Sequence, residues 1–196
     1  ERESKKHLDF GTLAHTLFLE PEQFHNEFAV IPADAPKPPT DVMRNAKNPS
    51  EDSIKRVQWW DNFAAEHGTK ITITEEQLAG AKRIADNLMK FSSYAVMQSH
   101  YGMPEASFFF TDPVFGLNLR VRPDWHIAPC KAFPNGLIID LKTTDDARPM
   151  AFSRTCANFS YDLSASMYRE SFQQYYKTEE KPPFIFLVAE RNTPFN

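Results

Sequence analysis

Arg122-Pro-Asp-Trp125, followed by Gly136-Leu-Ile-Ile-Asp-Leu-Lys-Thr-Thr144, is the stretch on which the fold turns. Side chains of a strand alternate between faces, with about 6.6–7 Å between next-but-one positions. Ile138, Asp140 and Lys142 therefore share one face of the Leu137–Lys142 strand, and Leu137, Ile139 and Leu141 the other. Leu137–Leu141 is otherwise apolar, the pattern of a central strand covered on both sides. A carboxylate and an amine at the end of such a strand are costly unless paired or used. Asp124 ends the alternating run Leu117–Asp124, which places Arg120 and Arg122 on its face if the strand is regular. A hairpin from Asp124 to Asp140 brings two carboxylates together. Their repulsion is relieved by a hard divalent cation. Metal-bound carboxylates beside a lysine suit phosphodiester hydrolysis. The metal acidifies water, and the lysine orients or deprotonates that water or neutralises charge. A surface ion pair is the alternative reading of Asp-x-Lys.

Working outward, Phe133-Pro-Asn-Gly136 reads as a turn. Glu105–Thr111 is aromatic and β-prone, and Phe184–Glu190 is a final apolar strand after Pro182-Pro183. Helices are expected at Leu8–Glu20, where Phe10, Leu13, Ala14 and Leu17 form one apolar stripe. Others are expected at Glu51–His67, Thr74–Phe91, Met150–Ala157 and Tyr161–Tyr176. Thr74 with Gln77 is a capping-box pattern. Ile31–Ser50 is rich in proline (Pro32, Pro36, Pro38, Pro39, Pro49) and reads as an irregular connection. Helices, a β-meander, helices and a strand make an α/β or α+β chain with a mixed sheet.

The 196 residues suit a single domain. Apolar residues at 41% and charged residues at 24% exclude a disordered chain. The longest apolar runs are far too short for a transmembrane helix. The formal net charge is −4, so a polyanion would be met by a local patch rather than a basic surface. Cys130 and Cys156 make neither a disulfide scaffold nor a four-ligand zinc site, which points to a reducing cytoplasm. With no initiator Met and no signal peptide, the sequence reads as a piece of a longer chain.

Pro123-Asp124 with Asp140-Leu-Lys142 resembles the PD-(D/E)xK nuclease motif. Leu8-Asp-Phe-Gly-Thr-Leu-Ala-His15, Leu19-Glu-Pro-Glu22 and Phe24 resemble the opening of the RecE-type exonuclease VIII nuclease domain, of the RecB-like branch. Arg120-Val-Arg-Pro-Asp124, Asp140-Leu-Lys-Thr-Thr144, Tyr161 through Tyr168 and Pro183–Ala189 continue the likeness in order. The resemblance implies a PD-(D/E)xK core, a mixed sheet flanked by helices, with added N-terminal helices. It implies Mg²⁺ (or Mn²⁺) on His15, Asp124, Asp140 and the Leu141 carbonyl, with Lys142 as the catalytic lysine. Gly11, on the face of His15, lets a backbone or a nucleic acid come close. Glu105 matches a glutamate that stands behind the ligands. Ser164-x-x-x-Tyr168 falls where the family carries Gln-x-x-x-Tyr, on one helical face; serine is the shorter side chain.

Substrate contacts are expected at Arg120, Arg122, Thr143, Ser164 and Tyr168. Arg148, Arg154 and the Arg2/Lys5/Lys6 cluster are further candidate cations, and Trp59-Trp60 are expected to pack. The implied activity is 5′→3′ exonuclease action on double-stranded DNA ends, leaving 3′ single strands for recombination, chromosomal or phage. The implied partners are a single-strand annealing protein and further copies of the chain in a homo-tetramer. Rival readings are an endonuclease or Cas4-like nuclease of the same fold, or a non-cleaving DNA-binding or scaffold module. A Cas4-like iron–sulfur site wants four cysteines.

Overall fold

The structure is a computed structural model that describes residues 2–100 and 102–193, with side chains from Phe10 onward. The chain divides into two compact units, Glu1–Pro21 with Gly80–Asn196, and Glu22–Ala79.

The chain opens with helix α1, Arg2–Leu19. Its stripe residues Leu13 and Ala14 are fully buried, and Phe18 packs its ring 5.7 Å from that of Tyr94. The Glu22–Ala79 unit holds α2 (Phe24–Glu27), β1 (Phe28–Ile31), α3 (Asp41–Arg44), α4 (Glu51–His67) and β2 (Ile71–Thr74). β1 and β2 pair in parallel, Phe28 opposite Ile71. Trp59 stacks on Phe63, and the Trp60 indole N–H donates to the Pro36 carbonyl, so both tryptophans pack. The proline-rich run is irregular apart from α3, which Thr40 caps through the Met43 N–H.

Helix α5 (Glu75–Leu88) begins in that unit and continues past Gly80. Thr74 and Gln77 close a reciprocal capping box: the Gln77 N–H donates to Thr74 Oγ1 and the Thr74 N–H to Gln77 Oε1. Then come α6 (Ser92–Ser99), β3 (Gly102–Pro104), β4 (Phe108–Thr111), β5 (Asn118–Val121), β6 (Trp125–Ile127), β7 (Leu137–Thr144), α7 (Pro149–Phe159), α8 (Tyr161–Tyr176) and β8 (Phe184–Glu190). The order β3-β6-β7-β8 makes a mixed four-stranded sheet, parallel only between β7 and β8. β7 and β8 are joined through α7 and α8, as a parallel pair requires. This is the α/β core with flanking helices that the sequence implies.

The pairings of β3 with β6 and of β4 with β5 belong to one hairpin. Gly102 stands opposite Ile127 and Phe108 opposite Val121, the same register. The ladder breaks between them, at residues 105–107 and 122–124. Glu105 there takes a left-handed conformation (φ 49°), yet its N–H still donates to the Asp124 carbonyl at 3.0 Å. The alternating strand expected over Leu117–Asp124 therefore stops at Val121, and its continuation is the separate strand β6. Pro123 has no N–H to carry the ladder across.

Ile138 joins Phe108, Val121 and Phe172 in the core on the α8 side of the sheet. On the other face, α1 packs over β7. The turn at Phe133–Gly136 closes by a 2.9 Å bond from the Gly136 N–H to the Phe133 carbonyl. Among the described residues no helix is long and apolar enough to cross a membrane.

Candidate metal centre

Strand β7 carries two of the key groups. Its apolar, β-branched run is buried through Leu141, and Asp140 is 2% exposed. Asp140 and Lys142 point to the Ile138 face and form an ion pair. The Lys142 Nζ also lies 3.4 Å from the Leu141 carbonyl oxygen and 5.2 Å from the centre of the Tyr161 ring. Asp140 and the Leu141 carbonyl thereby take two of the three N–H groups.

The β6–β7 pairing brings in Asp124. Trp125 stands opposite Ile139, so the preceding residue, Asp124, meets Asp140. Asp124 Oδ2 accepts the Leu141 N–H at 2.6 Å and lies 3.5 Å from His15 Nδ1. His15 comes from α1, which approaches β7 closely at Gly11. A Cβ at Gly11 would sit 3.3 Å from Thr143 Oγ1, tighter than ordinary contact. Thr143 thus faces α1, on the side of the strand away from Lys142.

Glu105 completes the group. The break in the hairpin turns it toward Asp124, and its Oε2 accepts Arg122 Nε at 2.8 Å. Left-handed backbone at a glutamate costs on the order of 1 kcal/mol and persists where the surroundings fix it. Ligand atoms of His15, Glu105 and Asp124 all lie within 4.8 Å of one another. Asp140 stands beside this trio, held by Lys142.

Burial raises the Asp124 carboxyl well above its usual range, against the pull of Lys142, the Leu141 N–H and Arg122. Burial and then the Asp124 charge raise Asp140, with Lys142 opposing. Glu105 is pushed up to about 7 by burial and by Asp124, although Arg122 pulls the other way. His15 is lowered to about 4, first by burial and then by Lys142. Burial alone would lower Lys142; Asp140 and Asp124 outweigh it and hold the amine above its ordinary value. Three acids therefore crowd a partly buried cluster beside an imidazole that burial keeps neutral. Carboxylate oxygens with one imidazole are donors that a divalent ion accepts, and such an ion removes the repulsion. The residues present fit a divalent metal.

The other sequence candidates are placed as follows. Arg122 gives its Nε to Glu105 and leaves the rest of its guanidinium largely exposed. Arg120, on β5, is held by Ser107 Oγ and lies over the Phe109 ring. Ser164 is exposed in the first turn of α8. Tyr168 is half-buried against Phe184, and burial with the nearby Asp140 charge raises its hydroxyl. Arg148 forks onto Asp146, and Arg154 is exposed on α7. The side chains of Arg2, Lys5 and Lys6 lie outside the described residues. Sequence reasoning gave no role to Tyr161 and set Glu105 behind the ligands. A left-handed glutamate leaves no mark in a sequence, since that conformation is signalled chiefly by glycine and asparagine.

A family model described as a PDDEXK-like domain of unknown function (DUF3799) matches residues 1–196, the whole chain. The chain belongs to this family. No curated protein matches it. A PDDEXK-like domain is of nuclease type, and the fold implies use of a divalent metal, for which His15, Glu105 and Asp124 form a possible site.

Proposed function

We propose that this PDDEXK-like domain is a divalent-metal-dependent deoxyribonuclease, and more narrowly a 5′→3′ exonuclease acting on duplex ends. The observation that carries the reading is that ligand atoms of His15, Glu105 and Asp124 lie within 4.8 Å of one another, beside the Asp140–Lys142 pair. The narrower part rests on the resemblance to exonuclease VIII, which also suggests Mg²⁺ or Mn²⁺, a homo-tetramer and a single-strand annealing partner. A cytoplasmic home accords with two free cysteines, Cys130 and Cys156.

His15, Asp124, Asp140 and the Leu141 carbonyl would hold the ion, with Glu105 close enough to join them. When bound, the ion acidifies water and offsets charge on the phosphoryl group. Asp140 and the Leu141 carbonyl fix the direction of the Lys142 ammonium. Lys142 is then a preset donor to the attacking water or to a non-bridging phosphate oxygen. Arg122, anchored through Nε, presents its outer edge to a phosphate. Water attacks phosphorus, the bond to the 3′ oxygen breaks, that oxygen takes a proton, and the product keeps a 5′ phosphate.

Digestion of end-labelled linear duplex and of closed circular duplex, with and without Mg²⁺, tests the reading. Metal-dependent loss of the 5′ strand from linear DNA, with circles intact, is expected. Cut circles would indicate an endonuclease. Binding without cutting of either would indicate a non-cleaving module.

A further inference from the structure

A ladder of groups runs outward from Lys142. Its Nζ lies 5.2 Å from the Tyr161 ring centre. Tyr161 stacks on Phe159, centroids 5.8 Å apart and planes 22° from parallel. Phe159 is 67% exposed, so the ladder ends on an open aromatic face. Two features hold the ladder in shape. Ser160, the single residue between α7 and α8, is left-handed (φ 54°, ψ 42°), and that sharp joint turns the two flanking rings onto each other. Tyr161 is also backed by Phe152 and by Phe186, at 6.3 and 6.0 Å, and Phe186 stands opposite Asp140 in the β7–β8 register. Ser160 closes α7 as a left-handed cap, its N–H on the Cys156 carbonyl, so the joint is fixed by an ordinary helix ending.

We propose that the outer face of Phe159 is a nucleobase-stacking subsite, one or two nucleotides from the phosphate that Lys142 serves. This rests on the nuclease reading. The ladder's inner end is a cation suited to a phosphate, and its outer end is an exposed aromatic face. One cation–ring step of 5.2 Å and one ring–ring step of 5.8 Å set the Phe159 face within nucleotide reach of the ammonium. Every base has a π-face, so the subsite binds without regard to sequence. Tyr161 is a positioning residue: it joins the platform to the Lys142 ammonium.

The test uses the whole protein with Ca²⁺ in place of Mg²⁺, and short duplexes carrying 2-aminopurine at the first, second or third nucleotide from the 5′ end. A fluorescence change at one of these positions is expected in the wild type, lost in Phe159→Leu and restored in Phe159→Trp. With Mg²⁺, Phe159→Leu raises KM about tenfold and leaves kcat within about twofold. Phe159→Leu with wild-type KM and wild-type fluorescence overturns the platform while the nuclease reading stands. A platform signal in a protein that cuts no DNA has the opposite meaning. A variant that changes sedimentation but not the fluorescence makes Phe159 a contact between copies and also overturns the proposal.

Discussion

The peptide N–H of Leu141 donates to Oδ2 of Asp124 across 2.6 Å. Asp124 lies outside any strand, so this bond ties the end of β6 to β7 and aims the carboxylate at His15. One acid thereby has two tasks, which substitution can separate. Asp124→Asn keeps an acceptor for the Leu141 N–H but loses the charge. It is expected to fold with a melting temperature near the wild type. Its affinity for Mg²⁺ or Mn²⁺ should fall at least about tenfold, the smaller end of what even supporting groups of metal sites contribute. Calorimetric titration reads this, and undiminished metal affinity would remove Asp124 from the site.

Glu105 gives a pH dependence whose sign can be worked out. Its carboxyl titrates near 4.5 in the unfolded chain and near 7 when folded, because burial and Asp124 disfavour the anion. Between those values the folded protein binds more protons than the unfolded one. Stability from this group is therefore present at low pH and lost as pH rises toward 7. His15, lowered to about 4, acts oppositely as pH falls below 6.5, so the contribution of Glu105 is isolated by difference. In EDTA, Glu105→Gln should gain stability relative to the wild type between pH 5 and 7.5. Parallel melting curves for the two proteins across that range would contradict the arrangement.

Gly136 is the second place where the backbone decides. Its φ is 75°, and a Cβ there would lie 2.3 Å from Cζ of Phe172, a ring with no exposed surface, and 2.7 Å from the Ile127 carbonyl oxygen. Neither neighbour can yield cheaply. Gly136→Ala should lose about 2–4 kcal/mol of stability, from backbone strain and overpacking together. Urea unfolding measures it, and a loss below about 0.5 kcal/mol would mean that the turn relaxes.

How much of this was legible differs from element to element, for physical reasons. β7 shows itself because Leu137–Leu141 is apolar but for Asp140, the pattern of a covered strand, and a charged pair closes it. The Thr74–Gln77 cap is legible because both partners lie within one turn. β1 and β2 are not: each is four residues long, and their pairing joins positions more than forty apart with no local mark. The alternation of Leu117–Asp124 suggests one strand because period-2 patterning carries no record of a break. The break comes from Pro123 and the turn at Glu105, and it is what brings Glu105 to Asp124. His15, Asp124, Asp140 and Lys142 were readable as a set only through the family likeness. The nearness of Tyr161 to Lys142 depends on the left-handed joint at Ser160, which no residue type announces.

Lys142 and Asp140 should be coupled in stability as well as in chemistry. Asp140 is almost fully buried, and Lys142 is its ion-pair partner. Lys142→Met removes the amine and strands the carboxylate, at an expected cost of about 3 kcal/mol near pH 7.5. The loss should shrink at pH 5, because Asp140 is already raised and takes up a proton once its partner is gone. Asp140→Asn combined with Lys142→Met leaves no charge to strand and should recover most of the loss. Denaturant unfolding of the four proteins makes a double-mutant cycle. Cleavage separates from this: Lys142→Ala and the double variant should both lose at least about 10²-fold in kcat, whatever their stability. For Lys142→Ala, DNA binding in Ca²⁺ should stay within about threefold of the wild type, since the ion's ligands, Arg122 and the aromatic face remain. A double variant no more stable than Lys142→Met, or a Lys142→Ala protein with wild-type turnover, would show that this pair is neither a buried couple nor the source of the catalytic cation.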